Sequence, residues 1–199
     1  MKNARLINEK FFDKIARQYD GGVAGKIVRK MHLRVVRLIN IKNNSKVLDA
    51  GCGTGDLLSI LAENKSLKLY GIDISKEMIK ISKKKLKNKA KIGLSSVEKL
   101  KFAKNYFDYV FSIDAFHHYE SQDKAMENFQ KILKKRGNLI IVDVNFGIFN
   151  WLFHLIEPGN TKMYSKEGMI KIFKKYKFKK IEQKGIGFLS TATWGRKND

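Results

Sequence analysis

Apolar residues in the first forty positions recur every three to four places. Ile7, Phe11, Ile15 and Tyr19 share one side of a helix predicted over 4–19, which Asp20-Gly21-Gly22 ends. A second helix is predicted over 24–39. Ile27, Met31, Val35 and Leu38 face inward, and Lys26, Lys30, Arg34 and Arg37 form a basic stripe read as a solvated face. From Lys46 the pattern shifts to short apolar runs. Segments 46–50, 67–72, 91–94, 107–113 and 139–144 read as strands, with helices over 56–63, 76–87 and 123–135. A helix over 166–176 and strands over 178–183 and 188–194 follow. Strands alternating with helices imply a parallel sheet covered on both faces. Two final strands with no helix between them imply an antiparallel hairpin at one edge. The expected fold is α/β: a doubly wound, seven-stranded, mostly parallel sheet with an antiparallel edge hairpin and two extra N-terminal helices.

Length and composition narrow the classes. At 199 residues the chain is expected to be a single domain over 1–199, with 1–42 as a helical cap. The single cysteine, Cys52, excludes an internal disulfide, and four scattered histidines predict no metal site. The start of the chain has no signal-peptide core and no apolar run reaches membrane-spanning length, so a cytoplasmic protein is expected. The net charge of +22 changes the picture more. It would attract nucleic acid or an anionic membrane. Lysine, however, outnumbers arginine 34 to 7, and the lysines are dispersed. Codon bias of an AT-rich genome gives the same composition, so the solvated-surface reading is favoured.

The most informative stretch is Val47-Leu48-Asp49-Ala50-Gly51-Cys52-Gly53-Thr54-Gly55, a strand entering a glycine turn that opens a helix. Glycine permits positive φ and close approach of a ligand to the backbone. The Gly-x-Gly-x-x-Gly frame of dinucleotide folds fails, because its third glycine would fall on Asp56 or Leu58. An acid at Asp49 suits a ligand that carries a cation. Asp73 ends the second strand, where a carboxylate can accept both hydroxyls of a ribose, and Ile74 can cover an adenine face. Asp73 could instead serve the next helix as an N-terminal acid, although Ser75 can supply that cap.

These segments resemble the class I S-adenosylmethionine-dependent methyltransferases. Asp49 to Gly55 is similar to their first motif, Gly71-Ile72-Asp73-Ile74-Ser75 to the second, and Phe107 to Ser112 with Ala115-Phe116-His117-His118 to the fourth-strand motif. Leu133 to Leu139 resembles the Leu-x-Pro-Gly-Gly turn, and Tyr164 to Glu167 with Tyr176 to Phe178 the late helix and its following turn. Phe12 to Asp20 is similar to the N-terminal helix of the ubiquinone/menaquinone-biosynthesis branch, although the Asn and Trp that follow in that branch are absent. The resemblance implies a Rossmann-like methyltransferase fold and S-adenosylmethionine as cofactor. It assigns Tyr19, Asp49, Gly51, Cys52, Gly53, Gly55, Asp73, Ile74, Ser96, Val97 and Ser112 to cofactor binding. Tyr19 could equally be a helix anchor, and Cys52 a small packing residue. Ser96-Val97 stands where the family carries an acid for the adenine amine, which leaves that contact open.

The implied reaction is in-line transfer of a methyl group to a small-molecule acceptor. Asp114, His117 and His118 are the catalytic candidates, because histidine is the natural base near neutral pH. Adjacent residues on a helical turn point about 100° apart, so at most one histidine is expected to face the site. Asp114 could instead cap the next turn, with both histidines packed or solvated. Tyr119 is a weaker candidate. Residues 146–165 are expected to form a substrate-side insertion. Its apolar run over 146–156, with Trp151 and His154, could pack on the sheet or on a second copy in a homodimer, line an apolar pocket, or touch a membrane surface. Two alternatives stay open: an RNA methyltransferase, from the charge, and a non-catalytic cofactor-binding or assembly protein, from Ser96.

Overall fold

The computed structural model describes residues 4–144, 162–187 and 189–199. In chain order these form α1 (Ala4–Ile15), α2 (Gly22–Leu38), β1 (Lys46–Ala50), α3 (Asp56–Leu61), β2 (Lys68–Asp73), α4 (Lys76–Leu86) and β3 (Ala90–Leu94). Then come β4 (Phe107–Ile113), α5 (Gln122–Ile132), β5 (Leu133–Val144), α6 (Lys166–Lys175), β6 (Phe178–Gly187) and β7 (Ser190–Lys197). One sheet holds all seven strands in the order β3-β2-β1-β4-β5-β7-β6. The first five are mutually parallel, and β7 runs antiparallel between β5 and β6. The expected topology and edge hairpin are therefore present. The order reverses between β1 and β4, which places a ligand crevice at their carboxyl ends.

Period-two alternation sorts the strands onto two cores. Leu48, Ala50, Val110 and Ile141 face one side, packed with Met126, Phe129 and Phe173 of α5 and α6. Val47, Phe111, Ile140 and Val142 face the other, against Val35, Leu57, Leu58, Ile79 and Leu86 of α2, α3 and α4. Buried on both faces, these strands read as continuous apolar runs. Among the described residues no helix is long and apolar enough to cross a membrane.

Four details differ from the sequence reading. Helix α1 stops at Ile15, and a tighter turn (Gln18 N–H to the Ile15 carbonyl, 2.9 Å) carries the chain to Asp20. Its inward side is also rotated: Asn8 and Ala16 are buried, whereas Ile7, Phe11, Ile15 and Tyr19 are half-buried. Along the basic stripe Arg34 is not merely solvated, since it donates to the Ile186 carbonyl of β6 at 2.6 Å. Helix α5 ends at Ile132 because buried Leu133 already pairs with Phe107, and a bulge with Arg136 at φ 62° absorbs the Leu-x-Pro-Gly-Gly-like stretch before Asn138 rejoins Tyr109. The apolar run over 146–156 and Phe188 lie outside the described residues.

Phe129 is fully buried beneath the sheet. Phe129→Ala is expected to destabilise the fold by about 3–5 kcal/mol, read from urea unfolding.

Candidate functional site

The glycine turn is tied to the neighbouring strand. After β1, the N–H groups of Gly51 and Cys52 both donate to the Ile72 carbonyl at 2.9 Å. Gly51 has φ 78°, and a Cβ there would lie 2.6 Å from the Ala115 Cβ, so a side chain would push β1 away from the segment after β4. Gly53 N–H donates to Asp73 Oδ2 at 2.8 Å, and Ser75 N–H donates to Oδ1 at 2.9 Å. Asp73 thus fixes the turn and the start of α4 together. Ser75 caps α4 by accepting from Met78 N–H, so Asp73 is not needed as a helix cap.

A cavity of about 370 Å³ opens at these strand ends. Tyr19, Asp49, Gly51, Cys52, Gly53, Asp73, Ile74, Val97, Asp114 and His118 line it. Gly55, Ser96, Ser112 and His117 do not. Gly55, at φ 81°, serves packing: a Cβ there would meet Ser82 Oγ at 2.5 Å and Leu86 Cδ1 at 2.8 Å, both on α4. Ser112 is fully buried and bonds Tyr119 at 2.7 Å. The Tyr119 hydroxyl in turn donates to the Ala50 carbonyl at 2.9 Å, making a strut between the ends of β1 and β4. Ser96 is buried behind the wall, and Glu98 on the following turn lines the cavity. A carboxylate therefore reaches the wall two residues after Ser96.

The cavity is acidic in a strongly basic chain. Asp20, Asp49, Asp56, Asp73, Glu98, Asp114 and Glu120 line it, seven of the 19 acidic residues in the protein, against the three basic side chains of Arg5, Arg29 and Lys85. Burial, with Asp73 and Asp56 close by, pushes the Asp49 carboxyl up to about 8. Burial raises the Asp73 carboxyl too, against the backbone donors that lower it. Cys52 is raised well above the ordinary thiol value, again chiefly by burial, which makes it a neutral wall residue and not a nucleophile. Asp56 is the exception. Burial opposes its charge, but His32 and Arg29 of α2 outweigh that and hold its carboxyl below the ordinary range. A ligand with a positive centre offsets the repulsion among these acids, and a planar group can approach the side-chain-free turn. The residues present fit a sulfonium nucleoside.

The N-terminal segment closes one side of the cavity. Asn8 Nδ2 donates to the His118 carbonyl at 2.8 Å, and the Phe12 ring lies edge-on to the His118 ring at 5.0 Å. Asp13 Oδ1 accepts from Ser75 Oγ at 2.6 Å and from Glu77 N–H at 3.1 Å. Asp20 accepts from Thr54 Oγ1 at 2.6 Å and from Lys85 Nζ at 2.7 Å. The sequence reading missed Asp13, Asp20, Thr54 and Lys85, because no local motif announces partners so far apart in the chain.

At the far end, His118 reaches the cavity and His117 is fully buried, paired through Nδ1 with Asp143 Oδ1. Asp114 lines the cavity with its backbone at φ 51°. One grouping at this end was not anticipated from the sequence. Ligand atoms of Asp114, His117 and Asp143 lie within 4.8 Å of one another. Sequence spacing hides this group because Asp143 comes from the next strand.

Two outcomes follow from this geometry. Asp49 has an ordinary value of 3.8 and a folded value of about 8. Between these, the folded state holds a proton that the unfolded state has lost. Stability of the ligand-free protein should therefore decline as pH rises from about 4 to about 8, and Asp49→Asn should flatten that decline in thermal-unfolding scans. Gly55→Ala should lower stability by about 1 kcal/mol or more and leave the ligand affinity of the folded protein unchanged. A lost affinity with normal stability would return Gly55 to the ligand site.

Comparison with known proteins agrees with this geometry. A family model described as a methyltransferase domain matches residues 41–186, the span that contains Asp49, Asp73, Asp114 and Asp143. An uncharacterized protein of Methanocaldococcus jannaschii is 32% identical, over 94% of this chain and 78% of its own length. The demethylmenaquinone methyltransferase of Thermotoga maritima is 30% identical, over 78% of this chain and 64% of its own length. Two solved structures share the fold. The partner of the Haloferax volcanii Trm112 methyltransferase activator has TM-score 0.85 at 17% identity, covering 94% of this chain and 98% of that one. Phosphoethanolamine N-methyltransferase 2 of Haemonchus contortus, solved with S-adenosyl-L-methionine, has TM-score 0.79 at 17% identity, covering 99% of this chain and 60% of that one. With the matched span running through every strand end that builds the acidic cleft, the chain belongs to the class I S-adenosylmethionine-dependent methyltransferases.

Proposed function

We propose that the acceptor is a small molecule, methylated at the end of the cleft where Asp114 and His118 line it. The predominantly acidic lining of the cavity carries this reading. A polyanionic acceptor would bring its phosphates toward a wall with more acids than bases, and the N-terminal segment, held by Asn8, Asp13 and Asp20, would have to leave before a folded RNA could enter. Named relatives act on acceptors as unlike as demethylmenaquinone and phosphoethanolamine, both small molecules.

S-adenosylmethionine supplies the electrophilic methyl group when bound. The protein's own residues do the rest. Gly51 and Gly53 leave room along the turn, Asp73 offers its remaining lone pairs to ribose hydroxyls, and Glu98 takes the adenine side. Asp49 offers negative charge to the positive end of the ligand. His118, steadied by Phe12, is the group placed to hold an acceptor proton if the acceptor keeps one. A second reading adds a protein partner, favoured by the fold shared with the Trm112-bound chain.

Calorimetric titration with S-adenosylmethionine and S-adenosylhomocysteine, with NAD as control, tests the site. One-to-one binding of both sulfur ligands is expected, near −8 kcal/mol for micromolar affinity, with none for NAD. Affinity for S-adenosylmethionine should rise with pH toward about 8, by up to about tenfold per unit, as Asp49 becomes easier to ionise. Asp73→Ala should abolish binding while circular dichroism stays native. A folded chain that binds neither ligand would move the partner-dependent reading ahead. A steep salt dependence of RNA affinity would unseat the small-molecule acceptor.

A further inference from the structure

We propose that Asp114, His117 and Asp143 form a divalent-cation site on the acceptor side of the cleft. Asp114 follows β4, His117 lies on the short turn after it, and Asp143 is near the end of β5, so two adjacent strands and one turn deliver the three side chains. Their ligand atoms lie within 4.8 Å of one another. Two bonds of about 2 Å to a shared ion span up to about 4 Å, so a contraction of under about 1 Å would bring all three into coordination.

One buried oxygen at this point suits a cation. Asp143 is 8% exposed, and its Oδ1 is engaged by His117 Nδ1. Its Oδ2 is fully enclosed and has no hydrogen-bond partner among the described residues. A carboxylate oxygen stripped of water without a partner is costly, and such an atom in a native interior calls for a water or an ion. A divalent ion shared with Asp114 and His117, whose ligand atoms are close by, would occupy that oxygen. Two carboxylates and one imidazole are a mixed oxygen and nitrogen donor set, suited to ions such as Mn²⁺ or Zn²⁺ more than to soft, thiolate-seeking metals.

Three protein ligands leave an ion with open positions. Asp114 itself lines the cavity, so an ion held there would adjoin the space assigned to the acceptor. The acceptor class that fits presents an oxygen to the ion: a hydroxyl, carbonyl or carboxylate, a hydroxyl losing its proton more readily once coordinated. This role toward the acceptor rests on the function proposed above, whereas binding of the ion does not.

The test uses the full chain stripped with a chelator. MnCl₂ is titrated and followed by loss of the aqueous Mn²⁺ resonance signal, and ZnCl₂ is titrated by calorimetry. Saturable binding of one ion per chain is expected, weakened at least about tenfold in Asp143→Asn and in His117→Gln. Both variants are checked for native circular dichroism and for S-adenosylhomocysteine binding, which reads the cofactor site separately; Asp114→Asn replaces either variant that fails to fold. No saturable binding of either ion by the unaltered chain overturns the proposal. So does binding that keeps its affinity in every folded variant, because the ion would then lie elsewhere.

Discussion

Asp49 and Asp73 stand at the ends of neighbouring parallel strands, the first buried and the second half-buried, and two such carboxylates repel across the turn between them. The turn answers one of them with backbone donors: Gly53 and Ser75 each give an N–H to Asp73. Asp49 is left with its proton at neutral pH until a positive ligand arrives. The remaining features of the cleft follow from that arrangement. Gly51 must be glycine so that the ends of β1 and β4 stay close enough to share one ligand, and the Tyr119 strut holds the same two ends at fixed spacing. The cost of gathering acids in one place is met by a ligand, which is how a site favours occupancy over collapse.

The same arrangement explains how a chain of net charge +22 can hold a cavity suited to a cation. Acids are scarce, and seven of them line one cleft, while the lysines are spread along the whole chain. The N-terminal segment uses two of its own acids as fasteners, Asp13 at the start of α4 and Asp20 on Thr54 and Lys85. Asp13 also sits where the positive end of the α4 dipole favours it. The cap and the cofactor turn are thereby connected, so closure over the cleft and order in the turn are expected to rise and fall together.

Much of this was legible in the sequence, and the misses share a cause. Strand and helix order came from period changes, and the failed dinucleotide frame at Asp56 and Leu58 separated two otherwise similar glycine turns. Local spacing could not show that Gly55 packs closely against Ser82 and Leu86, since that contact depends on how α3 packs on α4. Ser96 drew attention because the family places an acid there, yet the one-turn helix after it swings Glu98 to the wall instead. For α1, apolar periodicity pointed to Ile7, Phe11 and Ile15, whereas Asn8 is buried because its amide has a carbonyl to meet on the far side of the cleft. In each case the deciding partner lies on another element.

The two adjacent histidines share one 3₁₀ turn, where successive residues are rotated by about 120°, and their rings lie 4.1 Å apart. His118 goes to the cavity under Phe12, and His117 goes into the protein against Asp143. Asp143 pairs with His117 through Oδ1, while its enclosed Oδ2 meets no partner among the described residues, with Asp114 close at hand. A cation shared by the three residues, as proposed, would answer that oxygen with the groups already in place. It would also leave the acceptor end of the cleft built on the same principle as the cofactor end, with clustered acid awaiting positive charge.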